Sequence, residues 1–108
     1  MKITTEEALK ALHHTDKEFI GLFSHGTLEV EIYKPDKIDN QHPHDKDELY
    51  VIISGSGNFY CDGETVPFKP GDFLFVPAHI EHRFIDFTSD FSTWVFFYGQ
   101  KGGEKNKS

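Results

Sequence analysis

Two histidines and a carboxylate whose spacing suits metal binding lie near the middle of the chain, at His42, His44 and Glu48. In an extended segment, side chains two residues apart point to one face and lie about 6 to 7 Å apart, so both imidazoles could converge on one ion. Glu48 would lie about 13 Å from His44 on a straight strand, so the chain must fold back between them to bring the carboxylate to that ion. A carboxylate that opens a buried apolar strand also needs a compensating charge, which a cation would supply. The spacing therefore predicts half of a metal site.

A second segment provides one more histidine, His82, after an apolar, strand-like run that ends at Pro77. Together the two segments resemble the cupin family, whose first motif reads HxH, three residues, E, six residues, G, and whose second motif reads G, five residues, P and then H. The matching residues are His42, His44, Glu48 and Gly55 in the first motif, and Gly71, Pro77 and His82 in the second.

This resemblance implies an all-β fold, built as a double-stranded β-helix (jelly-roll) barrel. It also implies that the barrel interior binds one divalent transition metal, with His42, His44, Glu48 and His82 as the ligands. Three neutral imidazoles and one carboxylate favour Fe, Mn, Ni, Cu, Co or Zn over Mg or Ca, whose sites are built from oxygen. Four protein ligands leave one or two open positions on a five- or six-coordinate ion, and an open position permits chemistry.

The function that the resemblance implies is that of a metal-dependent enzyme acting on a small organic molecule, with oxygen-dependent cleavage by Fe(II) as the favoured reaction. Metal-dependent isomerase, lyase and decarboxylase chemistry occurs in the same family. A non-catalytic module that binds a metal or a small molecule is the alternative from a different class, because fold does not fix function. Tyr50, on the Glu48 face of its strand, and His79, in the turn after Pro77, are the candidate catalytic side chains, with core packing and a plain turn position as their alternative roles.

The elements that must position these residues are short strands preceded by one helix. The segment from Thr4 to Glu7 has the pattern of a capping box and predicts a helix over about Thr5–His13. From Glu18 onward the apolar period changes from 3.6 to 2. The predicted strands lie at 19–23, 27–33, 48–53, 58–61, 64–68, an apolar run up to residue 77, 82–85 and 92–98. We therefore predict a helical segment at 1–17, a β-barrel domain at 18–99 and a flexible C-terminal tail at 100–108.

For two of the predicted strands, alternation does not show which face points inward. In the strand at 27–33, Glu29 and Glu31 share a face opposite to that of the apolar residues; solvated carboxylates are the ordinary expectation, and the alternative places one of them in the cavity as a proton-transfer group. In the last strand, two apolar sets alternate, and either could line the barrel. The two sets are Trp94, Phe96 and Tyr98, and Thr93, Val95 and Phe97.

The composition narrows the classes of partner and compartment. A formal net charge of −7, with Arg83 as the only arginine, argues against a nucleic-acid partner. The polar N-terminus has no signal-peptide pattern, and no apolar run reaches the roughly 20 residues of a membrane span. The single Cys61 can form no intrachain disulfide, which fits a reducing compartment. We therefore expect a cytoplasmic protein with a small-molecule ligand and no membrane partner, and the resemblance implies a homodimer formed through exposed edge strands.

Overall fold

The computed structural model describes residues 1–105. Its first element is helix α1 at Thr5–His13. The helix begins there because the Thr4 hydroxyl accepts a hydrogen bond of 3.0 Å from the Glu7 backbone N–H. Ala8 and Leu12 form its buried stripe and pack against the strands that follow. Within residues 1–105, no helix is long and apolar enough to cross a membrane.

Eight β-strands follow the helix, so the predicted all-β fold with one short N-terminal helix is confirmed. The strand β3 begins one residue before the expected Glu48, and the other boundaries also lie close to those predicted. The strands are β1 Phe19–His25, β2 Leu28–Tyr33, β3 Asp47–Ser54, β4 Gly57–Cys61, β5 Glu64–Phe68, β6 Phe73–Val76, β7 His82–Ile85 and β8 Ser92–Tyr98.

The strands form two sheets that pack face to face. The larger sheet has five strands in the order β1-β2-β8-β3-β6, and the smaller has three in the order β5-β4-β7. Within residues 1–105 no strand of one sheet pairs with a strand of the other. Buried side chains from both sheets meet in one aromatic cluster, in which Phe84 of β7 lies 4.9 Å from both Tyr50 of β3 and Phe59 of β4, measured between ring centroids. The interior of the molecule is therefore the space between the two sheets.

The position of α1 decides which face of each strand points inward. The helix covers the outer face of the larger sheet, where it packs on Ile32 of β2 and Trp94 of β8. The alternate residues of those strands, Glu29, Glu31, Val95 and Phe97 among them, therefore point into the interior. This answers the question that alternation left open for β8: the set that contains Val95 and Phe97 lines the interior.

The glycine of the first motif, Gly55, allows a close approach between two segments. Its φ of +82° is in the left-handed region, and a Cβ added there would lie 2.5 Å from the Cα of Phe91. A side chain at this position would push the Phe91 segment away from the end of β3. The motif glycine is therefore a packing requirement of the fold.

Candidate metal centre

The three side chains that come together are carried by three different parts of the fold. Glu48 is the second residue of β3 in the larger sheet, and His82 is the first residue of β7 in the smaller sheet. His44 lies in the irregular segment between β2 and β3, where its carbonyl accepts a hydrogen bond of 2.7 Å from the His79 backbone N–H. The expected reversal between His44 and Glu48 is present as a bend at residues 45–46. This bend returns the chain so that both side chains reach one point.

The distances at that point are those of atoms arranged around a small cation. His82 Nε2 lies 2.7 Å from Glu48 Oε1, and His44 Nε2 lies 3.8 Å from the same oxygen. Each of the three residues offers one ligand atom within 4.8 Å of the other two. Ligands held about 2.1 Å from a first-row metal ion are about 3 Å from one another. The three side chains could therefore hold an ion with little movement.

The same atoms lack any other partner. His44 Nε2, His82 Nε2 and both carboxylate oxygens of Glu48 are buried and have no hydrogen bond within the described residues. The 2.7 Å contact between His82 Nε2 and Glu48 Oε1 becomes an ion pair only when the imidazole is protonated; in the neutral ring neither atom has a partner. An unsatisfied buried polar atom costs about 1–3 kcal/mol, so four of them in one place would be expensive unless a ligand satisfies them. Two imidazoles and a carboxylate are the donors that first-row metals prefer, and the residues present therefore fit such an ion.

A backbone hydrogen bond holds His82 in the tautomer that a metal ligand requires, with the proton on Nδ1. Its Nδ1 lies 2.9 Å from the Ile80 carbonyl oxygen, which can only accept a hydrogen bond. Nδ1 therefore carries the proton, and the lone pair of Nε2 faces Glu48. Burial would lower the pKa of His82, but the Glu48 carboxylate and the Ile80 carbonyl outweigh burial, and the net effect is a raised pKa.

A cavity of about 520 Å³ opens beside the three side chains, and His44 lies in its wall. Phe97 forms part of the same wall, and its ring centroid lies 4.9 Å from that of His44. Glu29 and Glu31 line the opposite side. The strand register explains this arrangement, because Phe97 of β8 pairs with Glu48 on one side and with Glu29 on the other. The cavity therefore lies between the candidate metal ligands and two further carboxylates.

Both glutamates of β2 line the cavity, where the alternative interpretation of the sequence placed one of them. Glu29 remains exposed, with Oε1 3.4 Å from Lys46 Nζ, whereas Glu31 is only partly exposed. Burial raises the pKa of Glu31, and the negative charges of Glu29 and Glu48 raise it further. Glu31 is therefore the carboxyl group of this cavity that is best suited to carry a proton.

Replacing Glu31 with glutamine should raise the free energy of unfolding at pH 7 by about 0.5 kcal/mol, a value that allows for solvent screening. A raised carboxyl pKa means that the folded protein binds more protons than the unfolded chain at pH values above 4.5, so stability falls as pH rises through this range. The amide removes this loss, and the gain should shrink as pH falls toward 4.5. Urea unfolding at pH 7 and pH 4.5 measures both values. Glu29→Gln is the control: it removes only a secondary cause of the raised Glu31 pKa and also breaks the contact with Lys46, so it should give a smaller gain or none, and equal gains from both variants would contradict the assignment to Glu31.

The remaining candidates from the sequence lie outside the group of three within residues 1–105. His42 is exposed and lines the cavity, so its assignment as the fourth ligand stays a prediction. Tyr50 is fully buried, and its hydroxyl donates a hydrogen bond of 3.1 Å to Gln41 Oε1. The side chain of His79 is exposed, and the residue has a positive φ of 69°. Its backbone nevertheless positions His44 through the hydrogen bond described above.

Sequence reasoning missed Asp39, which lies in a segment that the sequence marks only as a polar connection. Its side chain is 6 % exposed, and its carboxylate accepts four hydrogen bonds. No composition or periodicity in the segment distinguishes this aspartate from its exposed neighbour Asp36. Only its contacts with distant residues identify it.

The C-terminal segment also contacts the site region. The Gly102 N–H donates to the Asp45 carbonyl at 2.7 Å, and the Glu104 N–H donates to Asp47 Oδ2 at 2.7 Å. Asp47 Oδ1 accepts from the Ala78 N–H at 2.9 Å, so one buried carboxylate joins this segment to the turn before β7. Residues 106–108 of the predicted flexible tail lie outside the described residues, and the flexibility of the tail stays a prediction.

Comparison with known proteins places these features in a family. Residues 26–97 match the family described as Cupin domain. An uncharacterized protein of Streptomyces coelicolor is 29 % identical over 84 residues, which cover 76 % of this chain and 80 % of that protein. Quercetin 2,3-dioxygenase of Bacillus subtilis is 31 % identical over 68 % of this chain but only 20 % of its own length. Acireductone dioxygenase of Rhodopseudomonas palustris is 42 % identical over 44 % of this chain and 32 % of its own length.

Solved structures give the same picture of the fold. A putative mannose-6-phosphate isomerase from Ralstonia eutropha is 27 % identical with a TM-score of 0.61, over 76 % of this chain and 83 % of that one. The DMSP lyase DddQ from Ruegeria pomeroyi is 25 % identical with a TM-score of 0.63, over 75 % of this chain and 46 % of that one. The expected jelly-roll architecture is therefore confirmed.

Proposed function

Since this chain belongs to the cupin family, we propose that it is a metal-dependent enzyme acting on a small organic molecule, and that its reaction is oxygen-dependent cleavage with Fe(II). The observation that carries the proposal is the group of buried atoms without hydrogen-bond partners on His44, Glu48 and His82, next to an open cavity. A structural metal site is closed by its protein ligands, whereas a catalytic site keeps a position that small molecules can reach. The cavity wall at His44 provides that access.

Each ligand residue has a defined part in the proposed site. His44, Glu48 and His82 hold the ion through the atoms that otherwise lack partners, and we propose His42, which lines the cavity, as the fourth ligand. A bound first-row metal ion supplies Lewis acidity and, in the case of iron, electron transfer to O₂. The carbonyl of Ile80 keeps the lone pair of His82 directed at the ion.

The cavity walls bind and orient the substrate in this proposal. Val95 and Phe97 provide apolar surface on which an organic molecule can lie with water excluded. Glu31, whose pKa is raised by burial, lies across these residues from the ligands and holds or accepts a proton on a carboxyl oxygen. The substrate thus has an ion at one end and a proton-transfer group at the other.

The dioxygenase reaction is preferred because two of the similar curated proteins are named dioxygenases. The chain spans about a fifth and about a third of those two proteins, so their substrates are not carried over. A metal-dependent isomerase or lyase is the second candidate, which the two similar solved structures favour. A non-catalytic module that binds a metal or a small molecule is the third.

Oxygen consumption by the iron-loaded protein tests the proposal. Protein reconstituted anaerobically with Fe(II) is mixed with small molecules that carry adjacent hydroxyl and carbonyl oxygens, and O₂ uptake and product mass are followed. We expect uptake to require Fe(II), and we expect Glu48→Ala to abolish it while Glu81→Ala, an exposed glutamate paired with Arg83 at 3.0 Å, leaves it unchanged. A substrate that is rearranged or cleaved without O₂ uptake would indicate the isomerase or lyase instead. Stoichiometric metal binding without turnover of any compound would indicate the binding module.

A homodimer is proposed as the assembled state. The edge strand β6 exposes two aromatic side chains on the outer face of the larger sheet, with Phe73 at 61 % and Phe75 at 44 % of their surface. Exposed aromatic residues on an unpaired edge favour association with a second copy. Sedimentation velocity distinguishes monomer from dimer, and a monomer at 100 µM, roughly the upper range for weak dimers, would contradict this part of the proposal.

A further inference from the structure

Asp39 is a buried carboxylate that joins three parts of the fold next to the candidate metal centre. It accepts hydrogen bonds from the Tyr33 hydroxyl at 2.6 Å and from the Phe84 backbone N–H at 2.8 Å. It also accepts from the Gln41 backbone N–H at 3.1 Å and from Gln41 Nε2 at 2.7 Å. Phe84 lies two residues beyond His82 in β7. Asp39 therefore fastens the irregular segment that carries His44 to the strand that carries His82.

The hydrogen bonds fix the direction of a proton near the site. An ionised carboxylate can only accept, so the Gln41 side chain must turn its NH₂ group toward Asp39. The amide oxygen Oε1 then faces the other way, where the Tyr50 hydroxyl donates to it at 3.1 Å. A hydroxyl has one proton to donate. Glu48, two residues away on the same inward face of β3, is the other acceptor within reach of this hydroxyl. While Tyr50 gives its proton to Gln41, it has none to give to Glu48.

We propose that Asp39 is a positioning residue for the metal centre: it orients the Gln41 amide, the amide takes the Tyr50 proton, and both oxygens of Glu48 stay free to bind a cation. This inference rests on the proposed metal site and adds residues that the cupin motifs do not contain. It explains why the Glu48 oxygens have no hydrogen bond although a buried hydroxyl lies on the same face of the strand. Without the relay from Asp39 through Gln41, the Tyr50 proton would compete with the metal for Glu48.

The affinity for Co²⁺ tests the relay without any assay of activity. Gln41→Met removes the acceptor of the Tyr50 proton and keeps a side chain of similar length, so we expect Co²⁺ binding about tenfold weaker and a shifted Co²⁺ absorption spectrum. Tyr50→Phe has no hydroxyl proton, so the double variant Gln41→Met with Tyr50→Phe should recover the affinity to within about threefold of the unsubstituted chain. Recovery on removal of a second group is not expected if Gln41 only supports the fold.

Two further variants test the role of Asp39 itself. Asp39→Asn can no longer accept from every donor, and it should weaken Co²⁺ binding at least as much as Gln41→Met. Tyr33→Phe is the matched control, because it removes one donor to Asp39 and leaves Gln41 in place; its Co²⁺ affinity should stay within about twofold. If Asp39→Asn does not fold, the Gln41 and Tyr50 variants still decide the question.

The possible results fall into distinct groups. Unchanged Co²⁺ affinity and spectrum in Gln41→Met, or weakened binding that Tyr50→Phe does not restore, would overturn the relay while leaving the metal site intact. Failure of the unsubstituted chain to bind Co²⁺ at all would overturn the metal site, and the relay with it. Weakened binding in Gln41→Met with recovery in the double variant is the result we expect.

Discussion

Protein carrying Glu48→Ala or His82→Ala is expected to be purified without metal under conditions in which the unsubstituted chain retains one equivalent. Each substitution removes one of only three ligand atoms that lie within 4.8 Å of one another in the described residues. Even outer partners of metal ligands contribute 10- to 100-fold to affinity, so loss of a direct ligand should cost more than about 100-fold. Elemental mass spectrometry on protein prepared without a histidine tag measures the content and identifies the metal.

The variants need controls that distinguish a lost ligand from a lost fold. His25→Ala removes an exposed histidine at the end of β1 and should retain the full equivalent of metal. Circular dichroism should show the same β-structure in every variant. His42→Ala decides the fourth ligand, since a loss comparable to that of His82→Ala would place His42 on the ion. Metal retained in both Glu48→Ala and His82→Ala would show that the ion binds elsewhere, and an absence of metal even after reconstitution of the unsubstituted chain would refute the metalloenzyme.

Metal affinity should rise with pH by about tenfold per unit below the raised pKa of His82 and level off above it, because the ion must displace a proton from His82. The pKa of His82 is raised above 6.5: burial opposes the charged form, but the Glu48 carboxylate at 2.7 Å outweighs it. In the metal-free protein the protonated imidazole and Glu48 form an ion pair that contributes stability at pH values below 6.5. That contribution is lost as pH rises through the raised pKa of the folded state. The metal and the proton therefore compete for Nε2 of His82. Higher pH favours metal binding, whereas lower pH favours the ion pair of the metal-free protein.

Isothermal titration with Co²⁺ at several pH values between 6 and 8.5, in buffers of different ionisation enthalpy, measures the affinity and the number of protons released. We expect at least one proton per ion bound in the lower part of this range. The thermal shift on metal addition should also grow with pH, because the metal-free protein loses the ion pair while the metal-bound protein gains affinity. An affinity that stays constant between pH 8 and pH 5 would count against histidine ligation.

Much of the fold could be predicted because local patterns determine it. The capping residues of α1 and the period-2 alternation of the strands depend only on neighbours in sequence, and these elements lie close to where they were expected. The fold brings His44, Glu48 and His82 together, and their binding of a metal stays a prediction. The prediction that His42 and His44 share a strand face is wrong, because residues 34–46 do not form a strand.

The rest of the site could not be predicted because it depends on contacts between distant segments. Alternation divides a strand into two faces, but only the packing of α1 on Trp94 shows which face of β8 is the inner one. The same packing turns Glu31 toward the cavity, and nothing within β2 distinguishes this from exposure to solvent. Asp39 owes its role to Phe84, 45 residues later in the chain. Such long-range partners leave no periodic signal.

The two sheets share no strand pairing in the described part of the chain, yet Glu48 belongs to one and His82 to the other. An ion held by both side chains would cross-link the sheets at one end, in the way that a disulfide joins two layers of a β-sandwich. Release of the ion would then leave the two sheets joined at this end by the turn between β6 and β7 and its backbone hydrogen bonds to His44 and Asp47, without the direct link between Glu48 and His82. We therefore expect metal supply to set the lifetime of the folded protein as well as the proposed activity, because the metal-free protein would open locally and be degraded more readily.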